Sequence, residues 1–181
     1  MKLTRFILLF SIIAISYSQQ YSKERALYTA KSFVMSEVLG VEHNVIKFEM
    51  DPLVAASSGE LTTAFYNCEQ KKLRGLVLGF WGTIVDESGT YYNKFAFKNL
   101  TEQNAVDLFS EIEKNLSEHS KYLKDFEERT NIYFQYDDIV FLIDRRGGWT
   151  TIRVFWNGFD SAWNNSAYKK TKKLFEELVN K

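Results

Sequence analysis

Residues 130–163 read TNIYFQYDDIVFLIDRRGGWTTIRVFWNGFDSAW, the densest run of β-branched and aromatic residues in the chain. This run constrains the fold more than any other, because such residues suit a pleated surface better than a helix. Ile139, Phe141 and Ile143 alternate with Val140 and Leu142. A strand here is apolar on both faces and is expected in the middle of a sheet, covered on both sides. In the next segment Thr150, Ile152, Val154 and Trp156 share one face and Thr151, Arg153 and Phe155 the other, which predicts one wet side. Arg145-Arg146-Gly147-Gly148 between them reads as a hairpin connection, since glycine reaches positive φ without a Cβ clash. Asp137-Asp138 is either a tight turn before Ile139 or a bulge in one longer strand.

The rest of the chain supplies helices and further strands. Leu27, Ala30, Val34 and Val38 recur at helical spacing over residues 22–39, with Ser22 as a cap and Gly40 just past the end. Strands are expected over 44–50, where Pro52 stops the first, and over 61–67, 75–85 and 90–97. Residues 53–60 read as a loop. Thr101 opens a helix whose Ala105, Leu108, Phe109, Ile112 and Leu116 form one stripe. A last helix over 166–179 would dock through Ala167, Leu174, Phe175 and Leu178 and leave Lys169, Lys170, Lys172 and Lys173 in water. Hairpins dominate and strands do not alternate with helices. The expected fold class is therefore α+β: a mostly antiparallel sheet of about six strands with three helices packed on it.

Residues 1–18 carry Lys2 and Arg5, an apolar stretch over 6–15, and Ser16-Tyr17-Ser18 before Gln19. That is the pattern of a cleavable signal peptide, and it predicts export to a secreted or periplasmic location. The apolar stretch falls short of the ~20 residues that a transmembrane helix takes, so no transmembrane segment is expected. Residues 19–181 are expected to form a single α+β domain. Lys+Arg and Asp+Glu number 23 each, so loss of Lys2 and Arg5 leaves a net charge of −2. A chain of that balance is not expected to bind nucleic acid, which requires a basic face. Cys68 is the only cysteine, so no internal disulfide forms and the core must supply the stability.

The residues offer thin material for catalysis. His43 and His119 are the only histidines, no zinc spacing exists, and no metal or cofactor is expected. Asp137, Asp138 and Asp144 lack the glycine-bearing loop of an EF-hand. Ser57-Ser58-Gly59-Glu60 lacks the G-x-S-x-G elbow and reads as a connection, although it is the place a hydrolase would work from. No catalytic residue is assigned. The aromatics, 16% of the chain, are the better lead. Trp149, Trp156 and Trp163, flanked by Asn157 and Asp160, could stack on a glycan or small ligand or anchor a protein where they are exposed; otherwise they fill the core. The expected role is a non-catalytic protein-interaction or structural module, with glycan or small-ligand binding as the alternative.

Overall fold

The computed structural model describes residues 27–85, 87–124, 130–146 and 148–181. The signal-peptide reading of residues 1–18 lies outside them. The chain divides into two compact units, Met1–Val41 and Glu42–Lys181.

In the first unit, helix α1 spans residues 27–39, α-helical to residue 33 and π-helical over Val34–Leu39. The wider π turn moves the buried position from i+4 to i+5. Ala30, Val34 and Leu39 are therefore buried, while Val38 stays half-exposed. Gly40 ends the helix at φ 74°.

The second unit holds two four-stranded antiparallel sheets, each with its strands in sequence order. Sheet A is β1 (Glu49–Ala55), β2 (Leu61–Cys68), β3 (Leu73–Val85) and β4 (Tyr91–Thr101). Helix α2 (Glu102–Glu118) follows, then a 3-10 turn over Tyr122–Lys124. Sheet B is β5 (Asn131–Tyr136), β6 (Ile139–Arg146), β7 (Trp149–Trp156) and β8 (Phe159–Asn164), and helix α3 (Asn165–Val179) closes the chain. The class is α+β, with eight strands rather than six.

The turn at Asp137-Asp138, which separates β5 from β6, and the added strand β8 account for the count, while β1 lies at Glu49–Ala55 rather than over 44–50 and takes in the start of the expected 53–60 loop. Pro52 does not end β1, because an edge strand need not donate that N–H to a neighbour. Pro52 pairs with Ala64, and the register shifts between Pro52 and Val54. The Thr63 hydroxyl repairs the irregularity: it accepts from Val54 N at 3.2 Å, donates to Val54 O at 3.0 Å, and meets the Thr171 hydroxyl of α3 at 3.0 Å. The extra strand β8 follows Asn157-Gly158, with φ of 49° and 81°. This dipeptide takes positive φ at both turn positions, as a two-residue hairpin demands. Asp137-Asp138 likewise is a turn, flanked by the Tyr136–Ile139 pair.

Thr101 caps α2, its hydroxyl accepting from Asn104 N at 3.3 Å. The inner faces of both sheets enclose one core with α2 and α3, centred on Phe65, Leu76, Leu78, Phe80, Phe109, Phe141, Trp163, Tyr168 and Phe175. In α3 the buried centre is Tyr168, Thr171 and Phe175, with Leu174 and Leu178 half-buried at its flank. Arg74 ties the layers together, donating Nη2 to Glu102 Oε1 at 3.0 Å and Nη1 to Val179 O at 3.2 Å.

Candidate functional site: the outer face of sheet B

Strand geometry sends alternate side chains to opposite faces. In sheet B the inner face carries Ile139, Phe141, Ile143, Ile152, Val154, Phe159 and Trp163, all buried. The outer face is built from rows that follow the strand register. One row is Tyr133, Leu142, Arg153 and Ala162; the next is Gln135, Val140, Phe155 and Asp160. Trp149 stands on the same face at the start of β7. Among these outer-face residues and the row Asn131, Asp144, Thr151 and Asn164, only Asp144 is buried. Tyr133 is 80% exposed and Trp149 79%. The expectation that Val140 and Leu142 would be covered is not met: both are half-exposed.

The five residues singled out in the sequence separate. Trp149 and Asp160 lie on the outer face. Asp160 accepts from Arg153 Nε at 2.8 Å and pairs with Nη2 at 2.7 Å. Asn157 forms the β7–β8 turn. Trp156 has inner-face parity, its ring 5.1 Å from that of Phe80. Trp163 is 1% exposed and packs edge-on against Tyr168 with centroids 5.2 Å apart. It is a core residue and presents nothing to a ligand. In the sequence Tyr133 counts among the aromatics but is not placed beside Trp149; Arg153 and Phe155 share the parity of Trp149 along β7, whereas Tyr133, Val140 and Leu142 join them only through the strand register.

A polar cluster flanks Trp156. Its indole Nε1 donates to Asp138 Oδ2 at 2.9 Å. Lys98 Nζ, on β4, donates to Asp138 Oδ1 at 2.6 Å and to Asp137 Oδ2 at 2.7 Å. Hydrogen bonds from Lys98 and Trp156 hold the Asp138 carboxyl below its ordinary range. Burial opposes the charge on Lys98, but the hydrogen bonds and charges of Asp137 and Asp138 more than offset it and raise its pKa. The cluster fixes the β5–β6 turn against sheet A. It is a structural clamp with no vacant ligand geometry.

The other candidates are similarly engaged. The Ser57–Glu60 segment is a turn whose Glu60 carbonyl accepts from Trp81 N at 2.8 Å and Ser161 Oγ at 3.4 Å. The Glu60 carboxylate accepts from Ala162 N at 3.3 Å. Cys68 is fully buried and donates Sγ to Lys47 O at 3.4 Å. Among the described residues no three His, Cys, Asp or Glu side chains gather as a metal site, and no helix is long and apolar enough to cross a membrane. A groove of ≈ 570 Å³ between α2 and α3 has Phe109, Phe175, Val106 and Val179 as its apolar lining, with Glu113, Lys172 and Glu176 among its charged members. Below it the Tyr168 hydroxyl donates to Glu113 Oε1 at 2.9 Å. Burial, then the Glu113 carboxylate, pushes that phenol above its usual range.

No family model, curated protein or solved structure matches this chain.

Proposed function

We propose that this chain is an exported, non-catalytic interaction module that engages a protein partner through the outer face of sheet B. The observation that supports this reading is an open sheet face with two large, highly exposed aromatics, Tyr133 and Trp149, beside half-exposed Leu142, Val140 and Phe155. Four strands ~4.8 Å apart and six residues long make a face of roughly 15 by 20 Å. That is about the size of the functional apolar patches of soluble proteins. The Arg153–Asp160 pair at its side suits the polar rim of an interface. Export rests on the charged, apolar and small-residue pattern of residues 1–18.

A glycan or small ligand on the same face is the second reading, favoured by the exposed Trp149 ring and the adjacent polar side chains. One feature weighs against it. Along β7 and across two strands, Trp149 and Tyr133 stand on the order of 17 Å apart, which suits a broad footprint better than one sugar ring.

The test is affinity capture from the host's envelope or medium, comparing the wild type with Trp149→Ala and Phe155→Asp. One dominant partner, lost in both variants at unchanged melting temperature, is expected. Capture indifferent to both substitutions would sink the reading. A shift of tryptophan fluorescence on titration with soluble glycans, abolished by Trp149→Ala, would promote the second reading in its place.

A further inference from the structure

The Asn157-Gly158 turn between β7 and β8 carries a chemistry of its own. The backbone nitrogen after an asparagine can close a five-membered ring onto the side-chain Cγ of that asparagine. The ring closes most readily when the next residue is glycine, which has no Cβ to hinder the approach. Eleven asparagines stand in the chain, and Asn157 alone precedes a glycine. The sequence therefore singles out one site, and the fold decides whether it is open.

Both residues of the turn are exposed. The hairpin closes through the Trp156–Phe159 pair, so the peptide between Asn157 and Gly158 stands outside the ladder. Among the described residues no hydrogen bond holds the Asn157 side chain or the Gly158 N–H. A Cβ built on Gly158 would meet nothing within 4 Å, so the nitrogen is approached through open space. Several other asparagine amides are engaged. Asn115 Nδ2 donates to Glu111 O at 2.8 Å, Asn180 Nδ2 to Glu176 O at 2.8 Å, and Asn164 Nδ2 to Ser166 Oγ at 3.1 Å.

We propose that Asn157 is a site of spontaneous deamidation in the folded protein, and that its conversion loosens this end of sheet B. The Gly158 nitrogen bonds to Asn157 Cγ, the Cγ–Nδ2 bond breaks, and ammonia leaves with the proton that the nitrogen gives up. Solvent water then opens the succinimide at either carbonyl, leaving aspartate or isoaspartate, with no oxidant or reductant involved. Either product adds a negative charge to an end of the sheet that already holds Asp137, Asp138 and Asp160. Isoaspartate also routes the backbone through the side chain and lengthens it by one carbon. A two-residue turn with φ of 49° and 81° has no slack for that atom, so the Trp156–Phe159 closure gives way. Trp156 is the residue whose indole donates to Asp138, and its hold on the β5–β6 turn weakens with the closure.

Incubation of the folded protein for some weeks in warm neutral buffer, followed by peptide mapping, tests the proposal. The peptide holding Asn157 should gain one mass unit and split into aspartyl and isoaspartyl forms, while the other asparagines convert at least tenfold more slowly. The same chain unfolded in urea is the control. Conversion there beside an intact Asn157 in the folded protein would mean that the turn shields the site, and would overturn the proposal. Conversion spread evenly over the asparagines would do the same. Asn157→Gln, which would need a six-membered ring, should abolish the acidic species that ion exchange separates; its persistence would also count against the site. The isoaspartyl form is expected to melt about 3 °C or more below the fresh protein. Asn157→Asp, which adds the charge without the extra backbone atom, should fall by less. Equal melting temperatures for fresh and isoaspartyl protein would overturn the loosening, and this readout on the wild type stands if a variant fails to fold. Trp149→Ala should leave the conversion rate unchanged, so this inference and the outer-face reading fail separately.

Discussion

Sheets A and B share a plan, four antiparallel strands in sequence order running into a helix, yet their second faces differ. In β2 of sheet A six of eight residues are buried, and in β5 of sheet B exposed and half-buried residues alternate. On the face of sheet A that turns away from Phe65, Leu76 and Leu78, Ala64, Tyr66 and Val77 are 8%, 1% and 1% exposed. The corresponding face of sheet B buries Asp144 alone among the residues described above. A strand packed on both sides has no side chains to spare for a partner. A strand packed on one side leaves every second residue free of the fold's demands. Function in this chain is therefore expected on sheet B, and sheet A should answer substitution mainly through stability.

The largest effect expected is at the one tryptophan of sheet B that belongs to the core. Trp163→Ala should cost about 3–5 kcal/mol, read as a fall in the urea midpoint. A loss below about 1 kcal/mol would mean that the inner face is looser than its burial implies.

Next comes sheet A itself. A Cβ on Gly75 would lie 2.2 Å from the Leu100 carbonyl oxygen, a backbone atom with little room to move. Gly75→Ala should cost about 3 kcal/mol or prevent folding. Gly82, whose Cβ would meet the Phe159 ring at 3.4 Å, should accept alanine at a cost within about 1 kcal/mol. Equal effects at the two glycines would dissolve the contrast between a tightly built and a more open part of sheet A.

A smaller effect concerns the clamp between the sheets. Asp138 is held below its ordinary value of 3.8 by Lys98 and Trp156, so the unfolded chain takes up its proton more readily than the native one. Its stabilisation is fully present above pH 3.8 and fades as the pH falls through the lower native value. Lys98, raised above 10.5, contributes below that pH and ceases to as the pH rises through its native value. The Asp138 side chain is 57% exposed, so solvent screening limits the effect to about 1 kcal/mol at most. Urea titrations of the wild type and Asp138→Asn should converge as the pH drops below 3.8. A constant gap would remove the ion pair from the account.

The smallest expected effect on stability is also the most informative. Trp149→Ala should change stability by no more than about 0.5 kcal/mol while abolishing partner capture. A destabilisation of 2 kcal/mol or more, on the scale of core truncations, would erase the distinction between the two faces of sheet B.

Much of the architecture was written locally. Thr101 at the start of α2, Gly40 past α1 and the alternation of β7 all follow from single residues or short periods, and each stands in the structure. The misses were also partly legible. Asn157-Gly158 is the strongest short hairpin signal a chain can carry, and with Asn157 weighed only as a ligand contact β8 went unread. The candidate site divided along parity. Trp149 and Trp156 lie seven residues apart in one strand and so fall on opposite faces, and Trp149 sits with Tyr133 and Phe155 rather than with the other tryptophans.

What the sequence determined by itself was the kind and order of elements, the absence of an internal disulfide and the antiparallel class, because dihedral preference and side-chain period act over a few residues. Only the tertiary structure decided which face of each strand was covered. The alternation of β7 put Trp149 on the side of Thr151 and Arg153, but nothing within residues 149–163 marks Trp163 as a buried ring. The choice was made by Tyr168, Phe109 and the inner faces of two sheets, residues distant along the chain that meet only once the core has closed.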